Sequence, residues 1–310
     1  MIYFKLIRWK NLLIIICTQI LMKFFIIDPV FEINGIEERL SITMFGLLSL
    51  STVLIAGAGY IINDIFDVNI DEVNKPSDKI VGNQISLIKT WRFYWLLNIS
   101  GVIAGFIAGV LLDYVNFVFV YIFSALLLWF YSSFFKKMPL IGNLVIASLS
   151  GISFYLLWFA ELLNGDFVFS PYYDPPIIGA ALVVGYTAFA FIINFLREIV
   201  KDIEDLEGDK TFGCRTLPVV YGVKFSRRVA LLIAMVVFLM TVVSQYFMGI
   251  VGWSLMFGYF ILLIQVPLVL LIVLLARAKT KKQFDYVSKL TKLVMVTGVG
   301  SVLMAYYSMI

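Results

Sequence analysis

Apolar residues run through this chain in blocks long enough to cross a bilayer, and the polar residues collect between them. A hydrocarbon core about 30 Å thick needs about 20 apolar residues in a helix. Nine such blocks can be counted, at 11–27, 41–63, 92–112, 115–135, 139–163, 177–199, 229–248, 251–275 and 290–309. The first is short and is interrupted by Thr18, Gln19 and Lys23. Lys5, Arg8 and Lys10 precede it as in a signal peptide, but no small-x-small cleavage site follows, so it is read as a helix. The longest polar stretches, near 64–91 and 200–228, are read as loops and as the places where function sits. The segment from Asn164 to Pro176 has three prolines and neither Lys nor Arg, and reads as a loop without chemistry.

Composition agrees with this reading. Of 310 residues 62% are hydrophobic and 14% charged, against roughly 25% charged in an ordinary soluble domain. The expected fold is an all-α polytopic membrane protein, a single domain over residues 1–310. Lys and Arg accumulate on the cytoplasmic side of membrane proteins. With the N-terminus inside, nine spans leave only Lys23 and Arg39 of the 24 basic residues on the outer face, which supports both the count and the direction. The net charge of +4 then reflects topology and anionic lipid headgroups, and no nucleic-acid partner is expected. Cys17 lies in the first span and Cys214 in a cytoplasmic loop, so no disulfide is expected.

One pattern occurs twice: Asp64-x-x-Asp67-x-x-x-Asp71 and Asp202-x-x-Asp205-x-x-x-Asp209, after the second and the sixth spans. On a continuous helix, positions i, i+3 and i+7 fall within an arc of roughly 60°, so each triplet would aim its oxygens one way. The four-span offset suggests an internal duplication, two similar four-helix halves plus a ninth helix, with the acids in cytoplasmic cap loops. The chain contains no histidine, which removes the commonest ligand for zinc, copper and iron and the commonest general base. Clustered aspartates favour Mg²⁺, which is usually shared between a few carboxylates and substrate phosphates.

Basic residues are interleaved with the acids: Lys75 and Lys79 after the first triplet, and Arg197, Lys201, Lys210 and Arg215 around the second. A site for a cation alone has no use for them, whereas a diphosphate needs both metal and N–H donors. Glu198 precedes Asp202 by four residues, and Asn63 offers a neutral oxygen beside the first triplet. Tyr60 lies four residues before Asp64 on the same helical face. A cation transporter is the alternative from another class. It predicts acids near the midplane, and the spans offer only Glu161, near the outer end of the fifth.

The run Asn63-Asp64-Ile-Phe-Asp67-Val-Asn-Ile-Asp71-Glu-Val-Asn74-Lys75-Pro76 resembles the first signature of the UbiA superfamily of intramembrane prenyltransferases. Arg197-Glu198-Ile-Val-Lys201-Asp202-Ile-Glu-Asp205-Leu-Glu-Gly208-Asp209, with Thr216-Leu217-Pro218 beyond it, resembles the second. Tyr131-Ser132 with Lys136, Lys137 and Gly142-Asn143 is similar to a weaker third segment, and Arg8 to Asn11 to a position on the first helix. The second string is more similar to the digeranylgeranylglyceryl phosphate synthase branch than to quinone-pathway members. In one place the chain departs from the pattern: Asp78-Lys79 stands where many members have Arg-Pro.

The resemblance implies nine helices in a plasma or inner membrane, with the N-terminus and active-site loops cytoplasmic. It implies Mg²⁺ held by Asn63, Asp64, Asp67 and Asp71 on one side and by Asp202, Asp205 and Asp209 on the other. The reaction implied is transfer of a prenyl group, geranylgeranyl in that branch, from its diphosphate to a glycerol-phosphate ether lipid through an allylic cation; the alternative acceptor is an aromatic quinone precursor. Asp64, Asp67, Asp202, Asp205 and Tyr131 are the expected catalytic residues. Substrate contacts are expected from Asn11, Tyr60, Asn63, Lys75, Lys79, Lys136, Lys137, Arg197, Glu198 and Lys201. One of the two lysines Lys136 and Lys137 is expected to serve only as a positive anchor.

Overall fold

The computed structural model describes residues 2–37, 40–74, 79–163 and 176–310. Among them, nine helices are long and apolar enough to cross a membrane. We label these and the two short helices at the acidic triplets in chain order: α1 (Trp9–Ile33), α2 (Ile42–Phe66), α3 (Val68–Asn74), α4 (Leu87–Leu111), α5 (Val115–Ser133), α6 (Ile141–Leu163), α7 (Ile177–Glu204), α8 (Leu206–Thr211), α9 (Leu217–Val251), α10 (Ser254–Arg277) and α11 (Lys281–Met309). A five-residue helix, Ile2–Leu6, precedes α1. The chain is an integral membrane protein: large apolar side chains such as Phe119, Leu232 and Leu262 stand exposed on the outside of the bundle, where water would penalise them and lipid does not.

The boundaries depart from the sequence reading where helices outrun their apolar stretch. The stretch 200–228 is not a loop: α7 continues to Glu204, α8 follows, and α9 begins at Leu217 with Pro218 in its first turn. Within α9, Gly222 sits at φ 82°, ψ 159°, a conformation essentially reserved for glycine, and it kinks the helix below the membrane stretch. Likewise α11 starts at Lys281, capped by Thr280 and Gln283, nine residues ahead of the apolar block. The segment 64–91 holds α3 and the first residues of α4.

Helix packing here cannot draw on a hydrophobic driving force, so small residues at the contacts matter. The α2–α4 contact shows how. A Cβ at Gly101 would stand 2.8 Å from Cγ1 of Ile55, and the Ser51 hydroxyl donates to the Gly101 carbonyl at 2.7 Å. Two widened, π-helical turns, Lys23–Ile27 in α1 and Phe260–Gln265 in α10, each lie just before a proline, Pro29 and Pro267. Proline lacks the N–H that would close an ordinary turn and its ring crowds the carbonyl four residues back, which the widened turn relieves.

The turn in α1 also explains the lysine that interrupted the first apolar block. Lys23 is 2% exposed and pairs with Asp28, and its ammonium lies 4.0 Å from Glu161 of α6. Glu161 is fully buried and accepts the Leu40 backbone N–H at 3.2 Å. The two charges that looked anomalous in the sequence therefore meet each other and tie α1 to α6 near one end of the bundle.

Candidate active site

Both acidic triplets break in the middle, at the same residue and in the same way. Asp67 ends α2 at φ −91°, ψ 3°, and Asp205 ends α7 at φ −90°, ψ 6°. Each donates its N–H back to the preceding turn at 2.9 Å, Asp67 to Asn63 and Asp205 to Lys201. Each then accepts from the last acid of its triplet, Asp71 at 2.8 Å and Asp209 at 3.1 Å. The expectation of three acids along one helical face is corrected here. The helix turns at the middle aspartate, and the third acid is carried by a short second helix, α3 or α8. These short helices pack on one another, which brings the two triplets face to face.

Lys136 stands between them. It lies in a tight turn, Phe135–Lys137, between α5 and α6. Its ammonium pairs with Asp67 and donates to Asn63 Oδ1 at 3.3 Å, while the Asn63 amide donates to Asp67 at 2.7 Å. Burial alone disfavours the charge on Lys136, but Asp67, Tyr131 and Asp205 outweigh it and hold the ammonium above the usual lysine value. Burial pushes the Asp209 carboxyl up to about 6; Lys136 and the Thr216 hydroxyl, which donates at 3.1 Å, oppose this, and Asp205 and Asp67 add to it. Acids from both triplets thus sense one another around a single lysine.

Three further carboxylates, Asp64, Asp202 and Glu198, have partners of their own. Arg8, left-handed at φ 52°, donates to Asp64 at 2.8 Å and lies 4.9 Å from the centre of the Tyr60 ring. The Asn143 amide donates to Asp202 at 2.9 Å. Glu198 takes Arg197 at 3.0 Å and Lys201 at 3.7 Å. No three acidic, Cys or His side chains among the described residues form a ready metal cluster.

A cavity of about 280 Å³ opens beside these groups. Its mouth is polar, with Arg8, Asn11, Tyr60, Asn63, Tyr131, Arg197, Glu198, Lys201 and Lys292. Deeper it is mainly apolar, with Ile55, Leu128, Phe154, Leu156 and Phe189, and the hydroxyls of Thr52, Ser124 and Ser150 there donate back to carbonyls of their own helices. Along α7 the lining runs from Lys201 to Tyr186, about 22 Å at 1.5 Å per residue.

The site residues expected from the sequence therefore mostly converge. Lys79 does not reach the cavity and pairs with Glu72 at 3.4 Å. Lys137 is exposed; its carbonyl accepts the Arg215 N–H at 2.8 Å, so of the two lysines it is Lys136 that faces the acids. Lys75 lies outside the described residues. Sequence reasoning missed Lys292, hidden in the run of positive charges that opens the last helix, and did not single out Asn143, although it lay in the third family-like segment.

A family model, the UbiA prenyltransferase family, matches residues 36–296. The chain belongs to that family. It is 35% identical over 185 residues to a digeranylgeranylglyceryl phosphate synthase of Methanobrevibacter smithii, a match covering 60% of this chain and 61% of the relative. The chain thus aligns with about three fifths of that relative's length. A solved structure concerned with digeranylgeranylglyceryl phosphate synthase in membranes superposes with a TM-score of 0.59 at 25% identity, covering 97% of this chain and 98% of the other. A UbiA homologue from Archaeoglobus fulgidus bound to DMAPP and Mg²⁺ shares the fold, with a TM-score of 0.57 at 14% identity over 98% and 99% of the two chains.

Proposed function

We propose that this protein transfers a prenyl group, geranylgeranyl, from its diphosphate to a glycerol-phosphate ether lipid, with Mg²⁺ as cofactor. The observation that carries the reading is the pairing of two facing acid triplets with a bore that is polar at its mouth and apolar in its depth. Family membership and the likeness to digeranylgeranylglyceryl phosphate synthases support it.

The residues fit the metal. All the donors are hard oxygens, and the short helices that carry the third acids of the two triplets pack on one another with Lys136 set between the triplets, so the carboxylates converge from two sides. Asn63, Asp64, Asp67 and Asp71 on one side and Asp202, Asp205 and Asp209 on the other would hold it. When bound, Mg²⁺ supplies positive charge against the leaving diphosphate. That a homologue of the same fold is bound to DMAPP and Mg²⁺ supports a divalent metal in the reading.

The chain's own groups account for the rest. Arg197 and Lys201 at the mouth, and Lys136 between the triplets, provide N–H donors for phosphate oxygens. Asn143 orients Asp202 through its 2.9 Å hydrogen bond, and Arg8 orients Asp64. The apolar bore receives the prenyl tail and keeps water from the allylic carbon, so that an acceptor oxygen captures it first. Tyr131 and Tyr60, whose ring already takes Arg8, line the mouth, where aromatic rings steady a developing positive charge. The acid-bearing ends and the N-terminus face the cytoplasm, by the distribution of basic residues. A cation-transport role loses support, because the intramembrane acid it would use, Glu161, is buried beside Lys23.

The test is turnover of labelled geranylgeranyl diphosphate by purified protein with Mg²⁺, offered geranylgeranylglyceryl phosphate and aromatic acids in parallel. A labelled diether phosphate is the expected product. An aromatic product would move the acceptor to the quinone class, and failure to consume any prenyl diphosphate would refute the reading.

A further inference from the structure

Four basic side chains line the cavity: Arg8, Arg197, Lys201 and Lys292. Three have a carboxylate partner, Arg8 in Asp64 and both Arg197 and Lys201 in Glu198. Lys292 has none among the described residues. Its ammonium donates at 2.6 Å to the neutral side-chain oxygen of Asn11, across the seam between the first and last membrane helices. Its charged neighbours are Arg197, Lys10 and Arg8, all of the same sign. A half-buried ammonium among like charges, at the edge of a low-dielectric bore, lacks an anion.

The groups present define the anion. The ammonium keeps two N–H bonds after its bond to Asn11, and with its oxygen occupied Asn11 retains an amide N–H₂ as donor. These donors suit a tetrahedral oxyanion with several acceptor atoms. No carboxylate among the described residues pairs with Lys292, so the anion is held directly, without a shared metal, unlike the diphosphate at the acid triplets. Lys292 stands two residues into the last apolar block, 290–309, near its polar end.

We propose that Lys292 and Asn11 form a second anion site that binds the phosphomonoester of the lipid acceptor. The naming of this ligand as the acceptor rests on the prenyl-transfer reading; the site itself does not. It separates the two substrates' charges: diphosphate at the facing triplets beside the cavity, acceptor phosphate between α1 and α11. It also gives the chain a reason to prefer a phosphate-bearing lipid over a neutral one of the same shape.

The experiment compares the full-length parent with Lys292→Gln and Lys292→Arg in nanodiscs. Equilibrium binding of a glycerol-phosphate ether lipid is measured without prenyl diphosphate or Mg²⁺, alongside the same lipid bearing a hydroxyl in place of the phosphate. Lys292→Gln is expected to weaken binding of the phosphomonoester at least tenfold, Lys292→Arg to restore most of it, and the hydroxyl lipid to bind all three alike. In turnover, Lys292→Gln raises KM for the acceptor by a similar factor and leaves KM for geranylgeranyl diphosphate unchanged. Equal phosphomonoester binding by parent and Lys292→Gln overturns the site, as does a rise in KM confined to the diphosphate. A parent that binds the phosphomonoester through Lys292 yet transfers no prenyl group would uphold the site and refute the enzymatic reading, so the two failures are distinct.

Discussion

Replacing Lys136 by methionine removes the positive charge that the two acid triplets share, at little cost in side-chain length. Lys136 is 22% exposed and Asp67 only 6%, so the pair lies largely out of water. Removing one partner of a buried pair costs about 3–5 kcal/mol, because the other charge is left uncompensated. The part-exposed ammonium places this pair near the low end, about 3 kcal/mol. In metal-free detergent solution the variant should therefore unfold several degrees below the parent. Added Mg²⁺ should then act more strongly on the variant, since it binds the same oxygens without first displacing an ammonium. A ligand at a hundred times its Kd stabilises the folded state by about 2.7 kcal/mol. Saturating Mg²⁺ should thus recover most of the loss and reach its midpoint at a lower concentration than in the parent. The assay is thermal unfolding of both proteins across a Mg²⁺ titration, with Ca²⁺ and NaCl at matched ionic strength as controls. Equal Mg²⁺ responses in the two proteins, or a variant as stable as the parent without metal, would refute the placement of metal and lysine at one site.

Three further outcomes follow from the packing and the site. Asp202→Asn keeps the shape and a possible contact with Asn143 but removes a charge, and should lower turnover about 10²-fold or more with an unchanged circular dichroism spectrum; retained activity would exclude Asp202 from the site. Lys23→Met takes the cation from between Asp28 and Glu161 and should destabilise the protein by about 3–5 kcal/mol, read as loss of folded yield or of unfolding temperature, with Lys23→Arg milder. Gly101→Leu would drive a side chain into Ile55 and the Ser51 carbonyl and should separate α2 from α4, lowering thermal stability, whereas leucine at Gly46, which has open space, should be tolerated.

The membrane-crossing helices were legible because crossing a bilayer demands a length that composition reveals directly. Where it misled, as in α9 and α11, the helix carries polar residues out past the bilayer, and hydropathy has no reason to register them. The acid triplets were legible as chemistry but not as shape. Nothing in Asp-x-x-Asp-x-x-x-Asp announces that the middle residue leaves helical geometry, and only the matching dihedrals of Asp67 and Asp205 reveal that both triplets bend alike. Partners far apart in sequence were hidden for a different reason. A membrane helix is apolar on both its lipid face and its bundle face, so periodicity does not say which way Asn143 or Lys292 turns. Lys23 and Glu161 each looked like an interruption of its own helix, and only the pairing of α1 with α6 explains both.

The measurement that tests the account most directly is transfer of label from geranylgeranyl diphosphate to geranylgeranylglyceryl phosphate by the purified protein, before chelation, after exhaustive EDTA treatment, and after Mg²⁺ is returned. The account predicts a labelled diether phosphate that disappears with EDTA and returns with Mg²⁺. Transfer that persists after full chelation would contradict the role given to the facing triplets, and absence of any transfer with Mg²⁺ present would contradict the proposed function itself.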